Sequence, residues 1–408
     1  MKIENRIHHI SEILLSKTPE SSSDLTLMNG DCGKALFLAN YAKASGCDKS
    51  KSKALKVAEL IRLNEGNRNL RLSDGLSGAI WTLHEIESLF HLDLGAKDQA
   101  RRLENALIDH TQILQTTDQL DYLHGFLGVE HLLSSLGFQH LSHCIDQSVI
   151  LQAQIHEKGV FWFECLGEKE VINLGLAHGQ AAFICYLADR LPHCKEACKT
   201  RFCELLESAV NFLLSTQLEG EHAQFPSYLI GDESPKPSRL AWCYGDLGTG
   251  IALLRAGRSL TKPEWVDTAI KILKSTVGRK NENSSGVQDL GFCHGSSGLC
   301  QLYDYLERSA DISEFAESKT YWLNYTLKRL LLKDNTYQAY RGQDEQWVES
   351  MGLLDGLAGI GLVLINQVFP ELSNWEEVFY LKPIRDGKIK TPPPIDHSLA
   401  ESADGSAV

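Results

Sequence analysis

The sequence predicts an all-α protein, an α/α toroid of seven inner and seven outer helices. Three observations predict it. A Gly-x-x-Gly turn followed by an apolar stretch recurs seven times along the 408 residues. The stretches between copies carry apolar residues at three- and four-residue steps, as amphipathic helices do. β-branched alternating runs are scarce.

The copies begin at Gly30 (GDCGKALFLANYA), Gly75 (GLSGAIWTLHEI), Gly125 (GFLGVEHLLSSL), Gly179 (GQAAFICYLADRL), Gly245 (GDLGTGIALLRAG), Gly295 (GSSGLCQLYDYL) and Gly356 (GLAGIGLVLINQV). In the fourth, Ala182 replaces the second glycine. The intervals are 45, 50, 54, 66, 50 and 61 residues, each long enough for two helices and two loops. Such a period marks a repeat array. The segments after the glycines are apolar on more than one side, which suits helices buried all round. The segments between are amphipathic and belong outside. In EWVDTAIKILKSTV (264–277), Val266, Ala269, Leu273 and Val277 form the expected inward stripe, and KTYWLNYTLKRLLL (319–332) reads the same way. An open solenoid would need polar end caps, and closure into a ring removes that need. The paired glycines permit a sharp turn and close approach at each inner helix N-terminus. A strand-like piece is expected between Gln217 and Ser238, where Gly and Pro are frequent. Residues 1–384 are expected to form a single domain. From Arg385 the chain holds Pro392, Pro393 and Pro394 and few apolar anchors, so 385–408 reads as a flexible tail.

Composition narrows the function class. The net charge is −13 and no basic stripe is present, which argues against nucleic acid as a partner. The opening MKIENRIHHI lacks the apolar run of a signal peptide, and no stretch approaches a membrane span. The eleven cysteines (32, 47, 144, 165, 185, 194, 198, 203, 243, 293 and 300) are odd in number. A reducing cytoplasm is the expected setting, not a disulfide framework.

If the seven turns gather at one end of the ring, their flanking residues converge. Three turns carry chemistry. The fourth places His178 before Gly179, the fifth places Cys243 two residues before Gly245, and the sixth places Cys293 and His294 before Gly295. Adjacent residues diverge on a helix, whereas in a turn both can point at one ion. Two thiolates and one imidazole suit zinc, and three protein ligands leave a fourth position open, as in catalytic sites. Cys243, Cys293 and His294 are therefore the expected ligands of one Zn²⁺ per chain. The alternative is that both cysteines pack in the core. A second cluster, His193, Cys194, Cys198 and Cys203, fits no common zinc spacing and lies among Lys195, Lys199 and Arg201, as on a solvated helix face. Asp31, Asp74, Asp121, Asp246 and Asp355 lie near the turns, where an Asp most often caps a helix. Arg239 and Tyr244 flank Cys243, as site residues or as ordinary loop packing.

SRLAWCYGDLG, LGFCHGSSG, GLAHG and the seven Gly-x-x-Gly turns together resemble the lanthionine synthetase C-like family, over roughly Leu25 to Leu381. The departures are Ala182 and His124, the latter where an acidic or other residue often stands. The resemblance implies the toroid fold, zinc ligation by Cys243, Cys293 and His294, and active-site roles for His178, Asp121, Arg239 and Tyr244. It implies a stand-alone cyclase that adds peptide cysteine thiolates to dehydroalanine or dehydrobutyrine, forming thioether rings. The implied partners are a dehydrated precursor peptide of leader and core, a lanthipeptide dehydratase and an export transporter. The implied location is cytoplasmic, with peripheral association to a membrane-bound complex. Eukaryotic relatives bind glutathione, so a zinc- and glutathione-binding protein without cyclase activity is the alternative. The ring of helices also resembles prenyltransferases, which typically use an Asp-Cys-His zinc set, and glycosidases, which need two opposed carboxylates.

Overall fold

The computed structural model describes residues 2–19, 24–63, 69–108, 120–139, 142–166, 169–194, 196–220, 223–310, 312–332, 335–341 and 346–382. The tail expected at 385–408 lies outside them.

Seven inner helices follow the seven turns: Asp31–Ser45, Leu76–Phe90, Phe126–Ser135, Gln180–Arg190, Asp246–Ser259, Ser296–Ala310 and Leu357–Val368. They are buried all round, as their composition requires. Every residue from Leu357 to Asn366 is buried. Seven outer helices accompany them: Ile3–Lys17, Asp48–Leu63, Ala96–Ile108, Ser142–Gln152, Glu196–Ser215, Pro263–Ser275 and Ser313–Arg329. Pro263–Ser275 buries Trp265, Ala269, Ile272 and Leu273. The inward face is wider than the expected stripe: Trp265 and Ile272 are buried beside Ala269 and Leu273, and Val266 packs partly buried at its edge next to Gly257.

The ring closes through its backbone. Met28 N–H donates to the Ser73 carbonyl, Ser73 to Leu123, Leu123 to Ala177, and Ala177 to Cys243. Trp242 then donates to Cys293, Cys293 to Leu354, and Leu354 back to Met28. Each turn satisfies a backbone group of the next, so no turn is left with an orphan edge. The N-terminal helix Ile3–Lys17 packs against the last inner helix and serves as its outer partner.

The second glycine of the motif is a spacing device. A Cβ on Gly128 would lie 2.1 Å from the Tyr122 carbonyl oxygen and 2.8 Å from Leu72 Cβ of the preceding unit. In the fourth unit Ala182 is tolerated with a tighter first turn, in which the N–H of Ala182 and that of Phe183 both donate to the Gly179 carbonyl.

The bore is plugged from the C-terminal side. Trp375, Phe379, Tyr380 and Leu381 are buried at its centre. The Trp242 indole N–H donates to the Phe379 carbonyl at 2.9 Å, and the Tyr122 hydroxyl to the Val378 carbonyl at 2.5 Å. Short antiparallel strands rim the turn end. Gln154–His156 pairs with Gly159–Phe161, and Gln338–Arg341 pairs with Gln346–Glu349. Lys169–Asn173 lies between Glu164–Leu166 and Tyr228–Leu229. The last strand falls in the expected 217–238 segment. The others are too short to stand out as alternating runs in the sequence. No helix among the described residues is long and apolar enough to cross a membrane.

Candidate metal and catalytic site

The closed ring of turns brings Cys243, Cys293 and His294 together, with one potential ligand atom from each within 4.8 Å of the others. Cys243 lies two residues before Gly245, which turns the chain into its helix at φ +88°, a left-handed value that favours glycine. Both cysteines are buried and His294 is half-buried. The proximity of the two sulfurs lowers the Cys243 pKa well below the usual thiol range and raises that of Cys293. Burial disfavours the His294 imidazolium, yet the Cys243 thiolate outweighs it and the net shift is upward. His294 Nε2 lies 3.4 Å from the Tyr340 carbonyl and 3.8 Å from Asp289 Oδ2, which leaves Nδ1 for the sulfurs. An acceptor behind a ligating imidazole fixes its tautomer and raises its basicity. This donor set fits a soft or borderline metal ion.

His294 and Arg239 line a cavity of about 890 Å³ with Tyr228, Tyr244, Tyr340 and Asp355. Arg239 is close enough for its charge to favour the Cys243 thiolate. Asp355 comes from the seventh turn, and its Oδ1 is 3.8 Å from His294 Nδ1 with no hydrogen-bond partner. Burial, reinforced by Asp289 and Cys243, lifts its pKa to about 6. Tyr244 and Tyr228 hydrogen-bond through their hydroxyls.

His178 and Asp121 pair with each other, Nδ1 to Oδ2 at 2.6 Å. Burial opposes the His178 imidazolium, but the bond to Asp121 prevails and its pKa is raised. Asp121 Oδ1 accepts the His124 backbone N–H at 2.5 Å. The pair lines a neighbouring cavity of about 270 Å³ with Phe163 and Glu164. The Tyr244 ring, which lines the larger cavity, lies 6.4 Å from the His178 ring.

The other turn aspartates divide by environment. Asp31 pairs with Lys34 and Asp246 with Arg279, both structural. Asp355 is the site residue that sequence reading passed over. Its signal was positional: it stands immediately before Gly356, as His294 stands before Gly295. Glu164 and Tyr228 lie on strands outside the repeat, so periodicity could not find them. Among the described residues, His193, Cys194, Cys198 and Cys203 form no comparable cluster.

Residues 21–380 match the profile of the lanthionine synthetase C-like protein family. The chain belongs to that family. It is also similar to the nisin biosynthesis protein NisC of Lactococcus lactis subsp. lactis, 29% identical over 209 residues. That match spans 47% of this chain and 44% of the relative, less than half of either. Among solved structures, a nisin cyclase aligns with a TM-score of 0.73 at 20% identity, over 93% of this chain and 97% of the other. At that identity the likeness shows a shared α/α toroid fold.

Proposed function

We propose that this chain is a zinc-dependent lanthipeptide cyclase, which adds the cysteine thiol of a dehydrated precursor peptide across a dehydroalanine or dehydrobutyrine of the same peptide. The observation that carries the proposal is the Cys243–Cys293–His294 cluster beside an arginine-lined cavity, in a chain of this family. Cys243, Cys293 and His294 would hold one zinc ion. Zinc bound there supplies Lewis acidity that keeps an incoming cysteine sulfur ionised at neutral pH.

The chain's residues do the rest. In the addition an S–Cβ bond forms, the Cα=Cβ π pair moves towards the adjoining carbonyl, and Cα gains a proton. The Arg239 guanidinium faces the cavity and is assigned to the enolate oxygen, where developing charge is best stabilised. His178 is assigned as proton donor, since Asp121 favours its protonated form and fixes Nδ1, leaving Nε2 for the substrate. Tyr244 and Tyr228, which line the same cavity as Arg239 and His294, are assigned to position the peptide. The family also points to a dehydratase and an export transporter as partners and to a cytoplasmic setting, both part of this reading.

Metal analysis and thiol counting test it. The wild-type protein is expected to hold about one zinc per chain and Cys243→Ala to lose most of it. With dehydrated peptide, free thiols should disappear with the wild type and persist with His178→Ala. Full zinc in Cys243→Ala, or unchanged cyclisation by His178→Ala, overturns the assignment.

A further inference from the structure

A second group of metal-ligating side chains lies beside the sulfur cluster. Asp121, His124 and His178 each bring one potential ligand atom within 4.8 Å of the others. Two come from a single turn, Asp121 and His124 before Gly125, and the third from the next turn, His178 before Gly179. The backbone bond from Leu123 N–H to the Ala177 carbonyl locks those turns together. Asp121 is the hub, with Oδ2 2.6 Å from His178 Nδ1 and Oδ1 3.9 Å from His124 Nδ1. The His124 ring stacks on that of His178, centroids 5.0 Å apart. Glu164 lines the same cavity and adds a further carboxylate.

We propose that Asp121, His124 and His178 form a second, sulfur-free site for a divalent transition-metal ion such as zinc, and that its occupancy shuts off proton transfer by His178. Two imidazoles and a carboxylate suit zinc, cobalt and their neighbours. Metal–ligand bonds of about 2.0–2.1 Å in a tetrahedron put ligand atoms about 3.3 Å apart. The Asp121–His178 separation is shorter and the Asp121–His124 separation longer. Seating an ion between them therefore requires the imidazole of His124, about half exposed, to rotate inward. The ion takes the place of the Nδ1 proton between His178 and Asp121, so His178 can no longer become the imidazolium whose Nε2 proton the substrate receives. His124 is the residue that converts a proton-transfer pair into a chelate. The site rests on this geometry alone, and only its effect on turnover rests on the cyclase reading.

The test adds Co²⁺ to the full-length protein as isolated and follows its absorption. Wild type is expected to develop visible d–d bands without a new sulfur-to-cobalt charge-transfer band. Cys243→Ala should retain them. His124→Ala should bind at least about tenfold more weakly, the lower end of what losing even an outer partner costs a metal site. His124→Gln serves if the alanine variant fails to fold. Absence of the bands in wild type, or equal affinity in His124→Ala and His124→Gln, overturns the site. Excess Zn²⁺ should inhibit ring formation by wild type and spare His124→Ala, and equal inhibition of both overturns the regulatory link. Intact Co²⁺ binding by a protein that cyclises no dehydrated peptide defeats the cyclase reading and leaves the site standing.

Discussion

Asp246→Ala should destabilise the protein and loosen the proposed metal site together. Asp246 follows the Cys243-Tyr244-Gly245 turn directly and is 1% exposed. Its carboxylate accepts the Gln224 N–H at 3.0 Å, the Phe225 N–H at 2.9 Å and the Arg279 Nη1 at 3.0 Å. Arg279 in turn donates to the Ser238 carbonyl at 2.7 Å. These bonds tie both ends of the segment that carries Tyr228 and Arg239 to the turn that carries Cys243. Burial raises the Asp246 pKa and lowers that of Arg279, so desolvation offsets much of the pair's attraction. Removing one partner is another matter. It leaves a buried guanidinium without its carboxylate, which costs about 3–5 kcal/mol. With an unfolding entropy of about 2 cal/mol/K per residue, that is a fall in Tm of about 4–6 °C. Asp246→Asn keeps an acceptor oxygen and should lose less. Asp246→Leu combined with Arg279→Met should lose less than Asp246→Ala alone, because no unpaired charge remains. The assay is thermal unfolding by circular dichroism, with zinc content measured on the same samples. A Tm within about 1 °C of wild type, with full zinc in Asp246→Ala, would refute the reasoning, since the ordinary surface substitution costs no more than that.

Two further outcomes are expected. Gly128→Ala places a methyl against the Tyr122 carbonyl and Leu72, neither of which is the free end of a side chain. It should cost about 1–3 kcal/mol in urea unfolding, the range of overpacked cores, whereas Gly95→Ala, with nothing within 4 Å but φ +86°, tests backbone strain alone. Burial, then the nearby Glu377, pushes the Glu85 carboxyl up to about 8 from 4.5. Between those values the unfolded chain releases this proton and the folded chain keeps it, so stability falls as pH rises. Tm should therefore decline less across pH 4.5 to 8 in Glu85→Gln than in wild type. Parallel declines would discard the buried protonated carboxyl.

Much of this protein was legible in its sequence, because a repeat writes the same packing problem seven times. A glycine turn and an apolar helix specify each inner element wherever it falls in the chain. The helix Pro263–Ser275 shows the limit, since Trp265 and Ile272 pack inward beside the expected Val266, Ala269 and Leu273. Cys243, Cys293 and His294 could be found because they stand at equivalent places in consecutive turns, and the family resemblance added Asp121, His178, Arg239 and Tyr244. Tertiary structure alone decided what surrounds them. Closure set the seventh turn beside the sixth and so delivered Asp355 to His294. Short strands outside the repeat carried Glu164, Tyr228 and Tyr340 to the rim. Tyr244 came to lie near His178, and His124 came to stack on His178. Periodicity is a local property of a chain, whereas these meetings join residues from different turns and inserts, and only the packing of the closed ring fixes them.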